Sequence, residues 1–223
     1  GFRLDFSTAS ATPSSGADFG KDVSGNGNHW TQEGTWATNH QVTDTPTENF
    51  CTLNLLDTVS SVTLSDGALS MITSTGVWRS MRGTMMIPNT GKWYFEMSMP
   101  GTVGNQYIGV TTMGASLAGT PSEDAYGYVC DVNAGDVRKA HNSAYTALSL
   151  TPPTTSQPLQ VAVDTDAGKI WFGSNDVWSG DPAAGTGEAF SGLPTDLLPV
   201  MATENTYGAT VDFGQRGFLG TTP

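Results

Sequence analysis

Residues 161–178 read VAVDTDAGKIWFGSNDVW. Val161 and Val163 are two positions apart, and Ile170 and Phe172 repeat that spacing after a break. Side chains two apart share one face of a β-strand. Between the runs, Thr165 to Lys169 supplies Asp and Gly, which turn a chain back on itself, with Gly168 expected in the left-handed region. Asn175-Asp176 marks a second reversal. Strands joined this tightly must pair antiparallel, so the stretch commits the chain to a sheet.

The rest of the sequence agrees. Across 223 residues no stretch sustains an i, i+3, i+4, i+7 apolar pattern over a helix-length window, while Gly (27) and Pro (12) separate short period-two runs. VTLSDGALSMI, from Val62, reads as a hairpin turning at Asp66-Gly67. In GKWYFEMSMP, Trp93, Phe95, Met97 and Met99 alternate against Lys92, Tyr94, Glu96 and Ser98, which predicts a strand with one face in a core. NQYIGVTTM, AYGYVCDV, GDVRKAH, LLPVMAT and ATVDFG continue the series, while 141–158, with Pro152, Pro153 and Pro158, reads as a loop that cannot pair. The first sixty residues are richer in small polar residues. They read as a short strand at 2–6, a long loop, a strand near 28–36 and an extended segment at 47–56. The expectation is an all-β sandwich of two packed antiparallel sheets over 62–218, with 1–61 packing on it and 219–223 continuing into a longer chain. The start on Gly1, directly into FRLDF, also reads as a piece of something longer.

Nine Lys and Arg against twenty-one Asp and Glu leave a formal charge of −12. Such a chain repels phosphate backbones and anionic membranes, and only Arg138-Lys139 are adjacent basic residues. Nucleic acid is excluded as a partner, and no apolar run reaches membrane-spanning length. Cys51 and Cys130 are the only cysteines; one disulfide is open to them, but free thiols are the expectation, and no Cys/His zinc framework exists.

GKWYFEM, YIGVTT, AYGYV, LQVAVDTDAGKIWFGSNDVW, LLPVMAT and VDFGQRGF occur in the order found in SPRY (B30.2-type) domains, and the chain resembles that family from about Val62 to Phe218. The resemblance implies a concanavalin-like jelly roll whose ligand surface is built from loops at one end, here about 76–84, 113–126, 141–158 and 176–190. Two positions depart from the family phrases: Asp176 stands where an Asn-Gly turn has Gly, and Asp212 where Asn is usual in NFGQ. DVSGNGNHW resembles the opening loop of LamG-type jelly rolls, and TDTPTENFCTLN upstream of a SPRY pattern resembles virion structural proteins of tailed bacteriophages. That second resemblance implies a module of a phage appendage, located in the virion. Its partners would be other virion subunits, further copies of itself, or a host-surface glycan.

Asp164 and Asp166 have the spacing of a paired-carboxylate site, since a retaining glycosidase needs carboxyls about 5–5.5 Å apart. Their place between two strands makes them turn formers instead. His29, His40 and His141 accompany no G-x-S-x-G elbow. The chain therefore reads as non-enzymatic, with a glycan-active jelly roll and a purely structural decoration module as rivals. No cofactor is expected. One cation is worth weighing, because Asp22, Ser24, Asn26 and Asn28 place oxygen donors at alternate positions, with Glu33 twelfth from Asp22, as calcium would need. An Asn/Gly turn held by side-chain-to-backbone bonds is the stronger reading.

For ligand binding the candidates are Trp78, Arg79, Asp124, Tyr145 and Trp178, each on one of the four loops. Rings bury area at small entropic cost. Loop anchoring is the alternative for each, and the favoured one for Trp78 and Trp178. Trp93, Phe95 and Phe172 are expected in the core, with Trp171 on the opposite face of the sheet.

Overall fold

A computed structural model describes residues 1–4, 21–30, 49–57, 60–74, 76–101, 103–133 and 135–223. They divide into two compact units, Gly1–Glu48 and Asn49–Pro223. Among the described residues, fourteen strands occupy the larger unit. In chain order they are β1 (Val62–Ser65), β2 (Ser70–Thr73), β3 (Arg79–Arg82), β4 (Lys92–Ser98), β5 (Gln106–Thr111), β6 (Gly127–Asn133) and β7 (Asp136–His141). The series continues with β8 (Ala144–Ala147), β9 (Pro158–Asp164), β10 (Lys169–Ser174), β11 (Val177–Trp178), β12 (Phe190–Ser191), β13 (Leu198–Thr203) and β14 (Ala209–Asp212).

They form two antiparallel sheets. One runs β1-β2-β14-β4-β9-β10-β11, with β12 also on β10; the other runs β3-β13-β5-β6-β7-β8. The expected all-β sandwich is what the chain adopts. The core lies between the sheets: Phe95, Met97, Leu159, Val161, Ile170 and Phe172 from the first face Met81, Ile108, Cys130, Val132 and Met201 from the second. Period two explains this division, because every second side chain of a strand points to the same layer. Among the described residues no helix is long and apolar enough to cross a membrane. Cys51 and Cys130 are both free, and burial pushes the Cys130 thiol well above its ordinary value.

The 161–178 stretch folds as its pattern requires. β9 and β10 pair from Asp164↔Lys169 to Leu159↔Ser174, and Gly168 has φ 62°. Asp164 Oδ1 accepts from the Ala167 N–H at 2.8 Å, and Asp166 Oδ2 from the Gly91 N–H at 3.0 Å. Both aspartates therefore serve the turn and its neighbour. Asn175 and Asp176, at φ 48° and 65°, make the two-residue reversal into β11.

Three expectations are corrected. Trp93 shares the inward phase of Phe95 but remains 39 % exposed, because it stands near the start of β4, where its Nε1–H donates to Thr90 O. The 141–158 stretch does pair in part: β8 bonds to β7 from Arg138↔Ala147 to His141↔Ala144. Its prolines all lie downstream of β8, and Pro158 sits at the first position of β9, where a missing N–H is tolerated. Near the start of the chain, Phe2–Leu4 and Asn28–Trp30 form no strand; the rest of the strands expected at 2–6 and 28–36 lies outside the described residues, as does Glu33.

Candidate functional site

The outer face of the six-stranded sheet carries two cross-strand rows. Ser80, Ala202, Tyr107, Asp131, Arg138 and Ala147 form one; Arg82, Val200, Gly109, Val129, Ala140 and Tyr145 form the other. Tyr107, Val129, Ala140, Val200 and Ala202 make a small apolar cluster there, separate from the main core, with Trp78 packed against it.

The 112–126 loop folds over this face. Ser80 N–H donates to Leu117 O at 3.1 Å, and Ser80 Oγ to Gly119 O at 2.7 Å. Ser143 N–H donates to Ser122 O at 2.7 Å, and Asn142 N–H to Asp124 O at 3.1 Å. The approach is close enough to demand glycine at 127, where a Cβ would fall 1.6 Å from Pro121 O. The loop is thus a built wall, and Met113 and Tyr126 on it are 62 % and 47 % exposed.

A polar cluster sits beside the wall. Asp131 is buried and ion-paired with Arg138, its partner across the β6–β7 hairpin. Burial raises the Asp131 carboxyl above its usual value, and the Arg138 contact pulls against that shift. The Arg138 guanidinium lies 5.0 Å from the centre of the Tyr145 ring. Tyr145 Oη is 3.1 Å from Ser122 Oγ and 3.5 Å from Tyr107 Oη, yet the residue remains 43 % exposed. Burial, then the Tyr145 hydrogen bond, holds the Tyr107 phenol well above its ordinary value, so that hydroxyl stays a protonated hydrogen-bonding group. Arg138 Nε is buried and finds no acceptor among the described residues.

Of the five candidates, four gather around this wall. Trp78 stands edge-on to Tyr107 at 5.1 Å. Arg79 donates to Ser60 O, Trp78 O and Ala118 O, so it clamps the loop. Asp124 accepts from the N–H groups of Ser116 and Tyr126, which shapes the loop from within. Tyr145 alone offers an open ring. Trp178 lies elsewhere, on the outer face of the other sheet, against Gly173 and 6.3 Å from Tyr94. The expectation of four loops at one end is corrected accordingly: 76–84 and 141–158 contain strands, and Thr186, in the 176–190 stretch, accepts from Trp171 Nε1 of the eight-stranded sheet. Sequence reading missed Tyr107, Asp131 and Arg138. The hairpin offered a signal, since pairing Asn133 with Asp136 places Asp131 opposite Arg138.

In the smaller unit, both Asp22 oxygens accept from backbone: Oδ1 from Arg3 and Ser24 N–H, Oδ2 from Asn28 N–H. Hydrogen bonding, from Ser24 first and Arg3 next, holds this carboxyl well below the usual range. Asn26 and Asn28 each direct an Nδ2 donor at Gly1 O. This is a side-chain-to-backbone turn. Among the described residues no group of three His, Cys, Asp or Glu gathers as a metal cage.

Several solved structures share the fold. The chain superposes on a TRIM65 PSpry domain with TM-score 0.57 at 12 % identity, covering 74 % of this chain and 92 % of that one. The SPRY domain of human HERC1 gives TM-score 0.57 at 13 % identity, covering 71 % and 96 %. Stonustoxin gives TM-score 0.52 at 16 % identity over 73 % of this chain but 26 % of the toxin. No curated protein matches the chain. Residues 92–216, more than half of the sequence, match the SPRY domain, a family whose members are generally non-catalytic protein-interaction modules. The chain belongs to the SPRY domain family.

Proposed function

We propose that this chain is a non-enzymatic recognition module of a bacteriophage appendage, docking its partner on the outer face of the six-stranded sheet beside the 112–126 wall. The observation that carries the docking face is Tyr145: an exposed ring over Arg138, on an edge strand hydrogen-bonded to β7. Open aromatic and Arg groups on a rigid scaffold are what protein interfaces use as anchors. Met113 and Tyr126 extend the apolar area at the rim. The partner is a neighbouring virion subunit or a host-surface glycan, and the virion setting rests on the DVSGNGNHW and TDTPTENFCTLN resemblances. The non-enzymatic reading is supported by Asp164 and Asp166, whose carboxylates serve backbone N–H groups.

The test compares the wild-type chain with a Tyr126→Ala/Tyr145→Ala variant on host cells, a glycan array and co-purified virion subunits. Binding that the double variant loses supports the face. Binding that survives it would move the interface elsewhere, and sugar release from host polysaccharide would overturn the non-enzymatic reading.

A further inference from the structure

The outer face of the eight-stranded sheet carries polar side chains that strand alternation would leave in water. Glu96 and Gln160 are cross-strand partners there, and they are 1 % and 0 % exposed. What lies over them is the chain's own Phe218–Thr221. The Leu219 N–H donates to Glu96 Oε1, the Gly220 N–H to Glu96 Oε2 at 3.1 Å, and the Thr221 N–H to Asp176 Oδ1 at 2.7 Å. Gln160 Nε2 answers with a 3.3 Å bond to Thr221 O. Consecutive backbone amides are thus read by two carboxylates, in charge-assisted bonds stronger than neutral ones.

Two features make the site selective. Phe218 stands edge-on to Tyr94, with ring centres 4.6 Å apart. Above Gln160 only glycine fits, since a Cβ on Gly220 would fall 2.4 Å from Gln160 Nε2. Gln160 cannot swing away cheaply, because it also bonds Tyr94 Oη and both the N–H and carboxylate of Asp176. Past Thr221 the groove continues as a recess of about 200 Å³ between the segment and Trp171.

We propose that this face is a docking groove for a Phe-x-Gly-Thr peptide, filled in cis by Phe218–Thr221 and open to the same segment of a second copy of the chain. The docked amides bond to side chains, so release of the segment takes no strand out of either sheet. Gly217, at φ 81°, supplies a pivot immediately before it. The groove and the Tyr145 face lie on different sheets, so either reading can fail alone.

The test uses a fluorescent peptide of residues 217–223 and the full chain carrying Gly220→Val, which evicts its own segment. The variant should bind the peptide saturably. Wild type should bind at least ~10-fold more weakly, because a tethered competitor acts at an effective concentration of millimolar order. A peptide carrying Gly220→Val should bind neither. A folded variant that ignores the wild-type peptide, or that binds both peptides alike, would overturn the proposal. Should the variant not fold, amide exchange on the wild-type chain decides. Protection at Leu219, Gly220 and Thr221 that falls as excess peptide is added supports exchange in trans; protection that peptide leaves unchanged makes the segment a fixed part of the fold and refutes it.

Discussion

Gln160 and Asp176 hold each other by two hydrogen bonds, Gln160 Nε2 to Asp176 Oδ1 at 2.9 Å and the Asp176 N–H to Gln160 Oε1 at 2.8 Å. Asp176 pays for this with a left-handed backbone, φ 65°, at the turn position where an Asn-Gly hairpin would place glycine. The departure from the family phrase is therefore functional in the structure: the carboxylate that glycine lacks also receives the Thr221 N–H.

Asp176→Gly should consequently destabilise the chain although it relieves the turn. Relief of the left-handed backbone contributes at most about 1–2 kcal/mol, and the greater freedom of glycine in the unfolded chain offsets part of it. Loss of a charged acceptor for Gln160 and Thr221 costs about 1.5–3 kcal/mol. A urea midpoint lower than wild type, with unchanged slope, is the expected result; an increase would show that the carboxylate is dispensable.

Arg138→Ala should be costly and pH-dependent. It leaves the buried Asp131 carboxylate without its cation, a loss of about 3 kcal/mol near neutral pH. The folded-state pKa of Asp131 is already raised, so the folded chain binds a proton more readily than the unfolded one. Stability from this group rises as pH falls through the folded pKa and levels off below the unfolded value. The defect of Arg138→Ala should shrink on acidification, as thermal melts between pH 7 and pH 4 would reveal.

Gly127→Ala should lift the 112–126 wall from the sheet, since the new methyl collides with Pro121 O rather than with a side chain that can rotate. Overpacking of this kind costs about 1–3 kcal/mol. Proteolysis within 112–126 should accelerate, and partner binding at the Tyr145 face should weaken along with it.

Asp22 should titrate far below an ordinary carboxylate in an NMR pH series. Its folded pKa is depressed, so its contribution to the Gly1–Glu48 unit is complete above the unfolded value of about 3.8 and lost as pH falls toward the folded one. Because its oxygens already face backbone N–H groups, EDTA should leave the melting temperature unchanged. A calcium-dependent rise would require the turn to rebuild.

The hairpins and the sandwich were legible in the sequence because their causes are local. Val161, Val163, Ile170 and Phe172 declare a shared face by spacing alone, and Gly168 and Asn175-Asp176 mark the reversals by backbone preference. The same spacing failed for Trp93, because phase says which way a side chain points and not whether the core reaches that far along the strand. Trp78, Arg79, Asp124 and Tyr145 were found by residue type, but their division into one open ring, one apolar prop and two loop clamps depends on partners such as Ala118 and Ser116. Only the tertiary structure decided what covers the outward faces. Glu96 and its amide partners in Leu219 and Gly220 are separated by more than 120 residues, and Asp131 is buried against Arg138 and Tyr107, which lie on two other strands. Alternation determines two faces for each strand; long-range docking determines which of them meets water.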